Sequence, residues 1–213
     1  MEIEKALNDG HDFLDLISIL EQNNILTSIN DIIDIGCGEG TILFKYLKKN
    51  YTALEKDFEL ESSISQKLSS IDGEHEIIIS DFLEVKINNQ FDIVILNNVL
   101  TEIAIKNFDK ILKKCRKILR TNGFIFLRAN SEFHSDIKKA RNETEFKVDE
   151  ISKNKFYIES NNYIKNYFTK KELIDLLEKN GFTAQVIKRI DEDYLRTNEI
   201  KSEFIVIGTK YDA

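Results

Sequence analysis

The chain has 213 residues, of which 42% are hydrophobic and 10% aromatic; this is the makeup of one folded globule with a substantial core and excludes a disordered polymer. Thirty basic residues against 37 acidic leave a net charge of −7, which disfavours nucleic acid as a partner. No apolar run approaches the ~20 residues that span a bilayer, no basic-then-apolar leader follows Met1, and Cys37 and Cys115 lie far apart with no metal-ligand spacing, so the expected setting is a reducing cytoplasm, with no membrane and no metal.

Residues 11–22 read as a helix, with Phe13, Leu14, Leu16, Ile17 and Leu20 on one face. A strand at 31–35 runs into Gly36, Gly38 and Gly40, and a helix at 40–49 turns Ile42, Leu43, Tyr46 and Leu47 inward. A strand at 51–55, a helix at about 58–70, and strands at 76–80 and 91–96 follow. The helix 106–120 buries Phe108, Ile111, Leu112, Cys115, Ile118 and Leu119; its basic residues, Lys113, Lys114, Arg116, Lys117 and Arg120, form a solvated face. Thr121-Asn122-Gly123 reads as a turn before a strand at 124–129. Thr169 and Glu172 make a capping box for a helix at 169–180, which Asn180-Gly181 ends. Strands at 183–190 and 203–209 close the chain as antiparallel neighbours.

This alternation predicts an α/β fold: a Rossmann-like, seven-stranded, mostly parallel sheet with helices on both faces and an antiparallel last strand. One domain is expected over 1–213, with 1–30 as an N-terminal helical cap. The segment 131–168 is too long for an ordinary connection. Its aromatics include Phe133, Phe146, Phe156, Tyr157, Tyr163, Tyr167 and Phe168, and alternation near 145–150 and 155–159 allows a short hairpin. It reads either as a surface insertion or as a lid at the carboxyl edge of the sheet, where open α/β sheets bind ligands.

Four strand ends carry the polar and glycine residues. Three alternating glycines exceed what a tight turn needs, and they let a ligand approach where a Cβ would collide. Asp34 within an apolar strand would be costly to bury without a partner. Glu55 can accept from both ribose hydroxyls, although it could also pair with Lys56. Asp81 can take an exocyclic amine, with Phe82 offering its N–H and an aromatic edge, or Asp81 can merely cap a loop. Asn97 and Asn98 end the fourth strand, either as turn residues or through a backbone carbonyl. The spacing Gly-x-Gly-x-Gly, then Thr41, departs from the dinucleotide fingerprint. Glu39 would repel a pyrophosphate at that helix terminus, so a nicotinamide dinucleotide is rejected.

On these residues the chain resembles the class I S-adenosylmethionine (SAM)-dependent methyltransferases, from about residue 11 to 210. "DIIDIGCGEGT" is similar to the family's first motif, "YTALEKD" to the second and "SDFLE" to the third. "FDIVILNNVLTEI" resembles the fourth, "ILKKCRKILRTNGFIFL" the helix, turn and strand after it, and "YFTKKELIDLLEKNGF" the C-terminal helix. More loosely, "LRANSEFHSD" with "YFTKKEL" resembles small tellurite-resistance-type methyltransferases. The resemblance implies SAM as cofactor and S-adenosylhomocysteine (SAH) as product. It implies that Gly36, Cys37 and Gly38 lie against the methionine moiety and that Asp34 orients its ammonium. Glu55, with Lys56 beside it, would hold the ribose; Asp81 and Phe82 would read adenine; the Asn97 carbonyl would face the amino end or the sulfonium.

The acceptor is less legible. Acidic charge and the aromatic insertion point to a small molecule. RNA or protein acceptors stay open, as does a SAM-binding regulator without turnover. Glu102 sits where relatives often have His, and it reads as a general base or as a helix-start carboxylate. His134 reads as a second base candidate in the insertion or as an isolated ring. Cys37 reads as a small buried side chain and not a nucleophile.

Overall fold

The computed structural model describes residues 20–22, 24–39, 49–69, 73–137, 147–152, 155–160, 163–194 and 199–211. Ten strands and three α-helices are described: β1 (Asp31–Ile35), β2 (Asn50–Glu55), α1 (Glu61–Leu68), β3 (His75–Ile79), β4 (Phe91–Asn97), α2 (Phe108–Ile118), β5 (Leu119–Asn130), β6 (Lys147–Ser152), β7 (Lys155–Ser160), β8 (Tyr163–Tyr167), α3 (Lys170–Lys179), β9 (Phe182–Tyr194) and β10 (Glu199–Lys210). The main sheet has seven strands in the order β3-β2-β1-β4-β5-β10-β9, as the α/β alternation predicts; β6, β7 and β8 form a separate sheet. The chain divides into two compact units, Met1–Ile93 and Val94–Ala213. Among the described residues no helix is long and apolar enough to cross a membrane.

In the first unit β1 is buried along Ile32, Ile33, Asp34 and Ile35, as befits a parallel strand covered on both faces. It pairs in parallel with β2, Asp34 lying opposite Ala53, and β2 pairs in parallel with β3. The Asp92 carboxylate fastens the entry to β1 by accepting from the N–H groups of Asn30 and Asp31 at 2.8 and 2.9 Å. The helix expected at 58–70 begins as a 3₁₀ turn, Phe58–Leu60, because Asp57 accepts from the Glu59 N–H and caps it at 3.0 Å. It continues as α1, which buries Ile64 and Leu68. Of the helix expected at 11–22, Leu20 to Gln22 are helical and the rest lies outside the described residues, as does the helix at 40–49 apart from Lys49, which is not helical.

In the second unit α2 buries Phe108, Ile111, Leu112, Cys115 and Ile118, the stripe read from its 3.6-residue period. The turn expected at 121–123 is absorbed into β5; what remains of it is the left-handed backbone of Asn122, φ 60°. β10 is antiparallel to both β5 and β9. α3 starts on the expected capping box, Thr169 Oγ1 accepting from the Glu172 N–H at 3.2 Å. The expected hairpin is β6–β7, and β8 extends it to three antiparallel strands. The end of this insertion is core: Asn166, Tyr167 and Phe168 are all buried. The Phe168 N–H donates to the Asn130 carbonyl at 2.9 Å, and the Glu132 N–H to the Phe168 carbonyl at 3.0 Å.

Candidate functional site

The loop after β1 turns on two left-handed glycines, Gly36 (φ 64°) and Gly38 (φ 59°). The N–H groups of Gly36 and Cys37 donate to the Leu54 carbonyl at 2.7 and 3.2 Å, drawing the loop onto β2. A Cβ built on Gly38 would meet nothing within 4 Å, so the loop presents open space over bare backbone. Gly40 lies outside the described residues.

Glu55, buried at the end of β2, locks this loop. Its Oε2 accepts from the Gly38 N–H at 2.9 Å, and its Oε1 accepts from the N–H groups of Lys56 and Asp57 at 2.8 and 3.1 Å. A carboxylate has about four acceptor positions, two per oxygen. Oε1 is therefore filled, and Oε2 keeps one position. Lys56 is exposed. Beneath the loop Asp34 is fully buried and accepts from the Tyr51 hydroxyl at 2.7 Å, which supplies a partner for a polar group in an apolar strand. Burial, reinforced by the charges of Asp34 and Glu55, pushes the Cys37 thiol up to about 12. It is thus an inert small side chain and not a nucleophile.

At the end of β3, Asp81 is exposed and Phe82 buried. Asp81 Oδ1 accepts from the Leu83 N–H at 2.7 Å, so it caps its own turn. Phe58, three residues past Glu55, is 73% exposed, the largest such exposure of an apolar side chain among the described residues. Sequence reading passed over it because an aromatic at a helix start normally signals core. The structure joins Gly38, Glu55 and Lys56 in one hydrogen-bonded group and puts Asp81 and Phe82 at the tip of the next strand but one from β1.

The second unit carries the remaining candidates. Asn97 ends β4 half-buried; Asn98 is left-handed (φ 60°) and donates its N–H to the Arg128 carbonyl at 3.0 Å. Glu102 is exposed after a 3₁₀ turn, Val99–Thr101, and so follows a helical turn where a helix start was expected. His134 belongs to a cluster. Its Nδ1 accepts from the Asp136 N–H at 3.2 Å, and its ring lies 5.8 Å from that of Tyr167. Burial holds the imidazole below its ordinary pKa, outweighing the nearby Asp136. Asp136 in turn stays below the usual carboxylate range against its own burial, held by the Lys165 ammonium at 3.0 Å and the Tyr167 hydroxyl at 3.3 Å. Glu102 and His134 stand on different loops. Asn166 and Glu203, both buried, carry no local signal along the chain that marks them. No group of His, Cys, Asp and Glu among the described residues could hold a metal ion.

A family model described as a methyltransferase domain matches residues 33–125. No curated protein matches the sequence. A SAM-dependent methyltransferase from Methanosarcina mazei superposes with a TM-score of 0.68 at 19% identity, over 86% of this chain and 94% of that one. The 1,6-didemethyltoxoflavin-N1-methyltransferase of Burkholderia thailandensis, solved with 1,6-didemethyltoxoflavin and SAH, gives 0.69 at 14% identity, over 99% and 83%. TehB from Haemophilus influenzae gives 0.63 at 12% identity, over 94% and 62%. At these identities the likeness is one of fold.

Proposed function

We propose that the chain, which matches a methyltransferase-domain family model over residues 33–125, is a class I SAM-dependent methyltransferase that transfers the methyl group of SAM to a small-molecule acceptor. The observation that carries this reading is the glycine loop: bare backbone at Gly38 with open space where a Cβ would stand, locked from below by Glu55. Such a cradle fits a ligand laid flat on the peptide, with Cys37 and Asp34 buried beneath it.

In this reading Gly36, Cys37 and Gly38 line the methionine moiety, and Asp34, held by the Tyr51 hydroxyl, orients its ammonium. Oε2 of Glu55 accepts one ribose hydroxyl in its remaining position. Asp81 and the Phe82 N–H take adenine, with Phe58 available to cover the ring. Bound SAM supplies an electrophilic methyl on a sulfonium sulfur. The protein's task is then to hold the acceptor atom ~3–3.5 Å from that carbon, opposite the sulfur. Where the acceptor atom bears a proton, Glu102 and His134 are the base candidates; His134 would first have to release the Asp136 N–H from Nδ1, because a neutral ring bonded there carries its own proton on Nε2.

A small acceptor is supported by the acidic net charge and by the three-stranded insertion, which we read as a lid over 131–168 in one domain, 1–213. The Burkholderia neighbour, solved with the small heterocycle 1,6-didemethyltoxoflavin, is compatible with it. We place the reaction in the cytoplasm. Incubation with SAM and fractionated cell extract tests the reading. SAH formed with the small-molecule fraction is expected. SAH formed only with RNA or protein would replace the acceptor class, and tight SAM binding with no turnover on any fraction would make the protein a regulator.

A further inference from the structure

Buried polar atoms normally find hydrogen-bond partners, and one that does not is destabilising. In the second unit five buried oxygens have no hydrogen-bond donor within the protein: Oδ1 of Asn97, Asn98 and Asn166, Oε2 of Glu132 and Oε1 of Glu203. Asn166 is 1% exposed and Glu203 2%, so bulk water does not reach them. All five are acceptors. Elsewhere among the described residues of this unit the unmatched groups are scattered and mixed, as with Arg116 Nε, Asn180 Oδ1 and Thr209 Oγ1.

Three of the five do not depend on how an amide is turned. Glu132 and Glu203 are carboxylates. The Asn166 amide nitrogen faces three carbonyls at once, those of Leu100 (2.9 Å), Thr101 (3.2 Å) and Ile103 (2.8 Å), which holds its oxygen on the opposite side. At Glu203 the cations converge on the other oxygen: the Arg128 guanidinium binds Oε2, and Lys201 lies 3.5 Å from the same atom. Oε1 is left as an acceptor.

The elements that bear these oxygens are tied together. The Asn98 N–H donates to the Arg128 carbonyl, and Arg128 pairs with Glu203. The Asn130 N–H donates to Thr101 Oγ1 at 3.3 Å, and Asn166 clamps the same post-β4 loop. Phe168, two residues on, bonds Asn130 and Glu132 through its backbone. Burial raises the Glu132 carboxyl above its ordinary range, so a donor placed there relieves an unfavourable site.

From this one-sided polarity we propose that this end of the second unit seats the methyl acceptor, and that the acceptor is a donor-rich nitrogen compound: a neutral or protonated amine, amidine or amino-heterocycle. The proposal rests on the small-molecule methyltransferase reading and names its substrate class. An anionic acceptor would meet two carboxylates and a row of amide oxygens, with Arg128 and Lys201 already committed to Glu203. An N–H-rich acceptor satisfies oxygens that otherwise stay unmatched, and a site built to bond such groups rejects analogues that lack them.

Calorimetry on the SAH-saturated protein tests this with matched probes: benzamidine and 2-aminopyrimidine against benzoate and phenylphosphonate. The nitrogen probes are expected to bind at least tenfold more tightly than the anions. Glu132→Gln should weaken benzamidine about tenfold while SAH affinity stays unchanged. Anions that bind as well as the amines overturn the proposal, as do amines that do not bind or that ignore Glu132→Gln; the wild-type comparison stands even if that variant folds poorly. The two readings fail separately. SAH release with a small-molecule fraction whose product is a methylated carboxylate or thiol sinks the nitrogen acceptor and spares the methyltransferase. SAH release confined to macromolecules sinks the small-molecule reading itself.

Discussion

The Glu55 carboxylate accepts from the Gly38 N–H at 2.9 Å, across 17 residues of chain. That bond turns the end of one strand into the anchor of the loop after its neighbour. Gly38 is left-handed, and its N–H would otherwise lose its solvent partner whenever a ligand covered the loop. One carboxylate therefore shapes the loop, and in the proposed function the same group also accepts from the ribose.

Glu55→Ala should weaken SAM binding by ~1.5–3 kcal/mol, the scale of hydrogen bonds to a charged group, and should also lower the melting temperature because three N–H donors lose their acceptor. Titration calorimetry with SAH and a thermal melt read the two effects. A melt shift with unchanged affinity would make Glu55 purely a loop anchor.

Because Oε1 is filled by Lys56 and Asp57 and Oε2 retains one position, the carboxylate can serve one ribose hydroxyl and not two. Of 2′-deoxy- and 3′-deoxy-SAH, one should lose roughly tenfold or more in affinity and the other clearly less. Equal, large losses for both analogues would mean that Glu55 releases its backbone donors on binding.

Two glycines should separate cradle from scaffold. Gly38→Ala meets no steric contact, so its cost to folding is the left-handed strain of ~1–2 kcal/mol, while SAM affinity should fall at least tenfold. At Gly73 (φ 128°) a Cβ would sit 2.7 Å from the Lys49 carbonyl oxygen. Gly73→Ala should thus destabilise without touching SAM affinity. Paired melts and binding isotherms check both, and a Gly38→Ala protein that binds SAM normally would remove the loop from the site.

His134 should make stability pH-dependent. Its folded pKa lies below the ordinary 6.5, so folding favours the neutral ring. That contribution is complete above pH 6.5 and is lost as the pH falls through the lowered folded value. Glu132, raised above 4.5, contributes with the opposite sign, its share being full at low pH and lost as the pH rises. His134→Asn keeps an acceptor for the Asp136 N–H but cannot titrate, and should flatten the fall in melting temperature below pH 6.5. An identical slope in wild type and variant would contradict the assignment.

Arg128 and Glu203 form a buried pair, and removing one charge strands the other. Arg128→Leu should cost ~3–5 kcal/mol in denaturant unfolding. Arg128→Leu with Glu203→Leu should recover much of that loss, since neither charge is then left unmatched; a double variant no better than the single one would show that the pair stabilises by more than mutual neutralisation.

What could be read along the chain was local. Apolar runs at 31–35 and 91–96 declared strands, the stripe from Phe108 to Ile118 declared a helix, and Thr169 with Glu172 declared its own cap, because each signal is complete within a few residues. Gly36, Gly38, Glu55 and Asp81 were visible because their places follow from strand ends. Pairing across the chain was not legible. That Glu55 would accept from the Gly38 N–H, that Asn166 would bond the carbonyls after β4 and that Glu203 would pair with Arg128 depend on contacts 17 to 75 residues long. Sequence by itself determined the order of elements and the glycine loop after the first strand, with its resemblance to a methyltransferase motif. Only tertiary structure decided which oxygens are already bonded and which still await a donor, because hydrogen-bond satisfaction is a property of neighbours in space and not of neighbours in the chain.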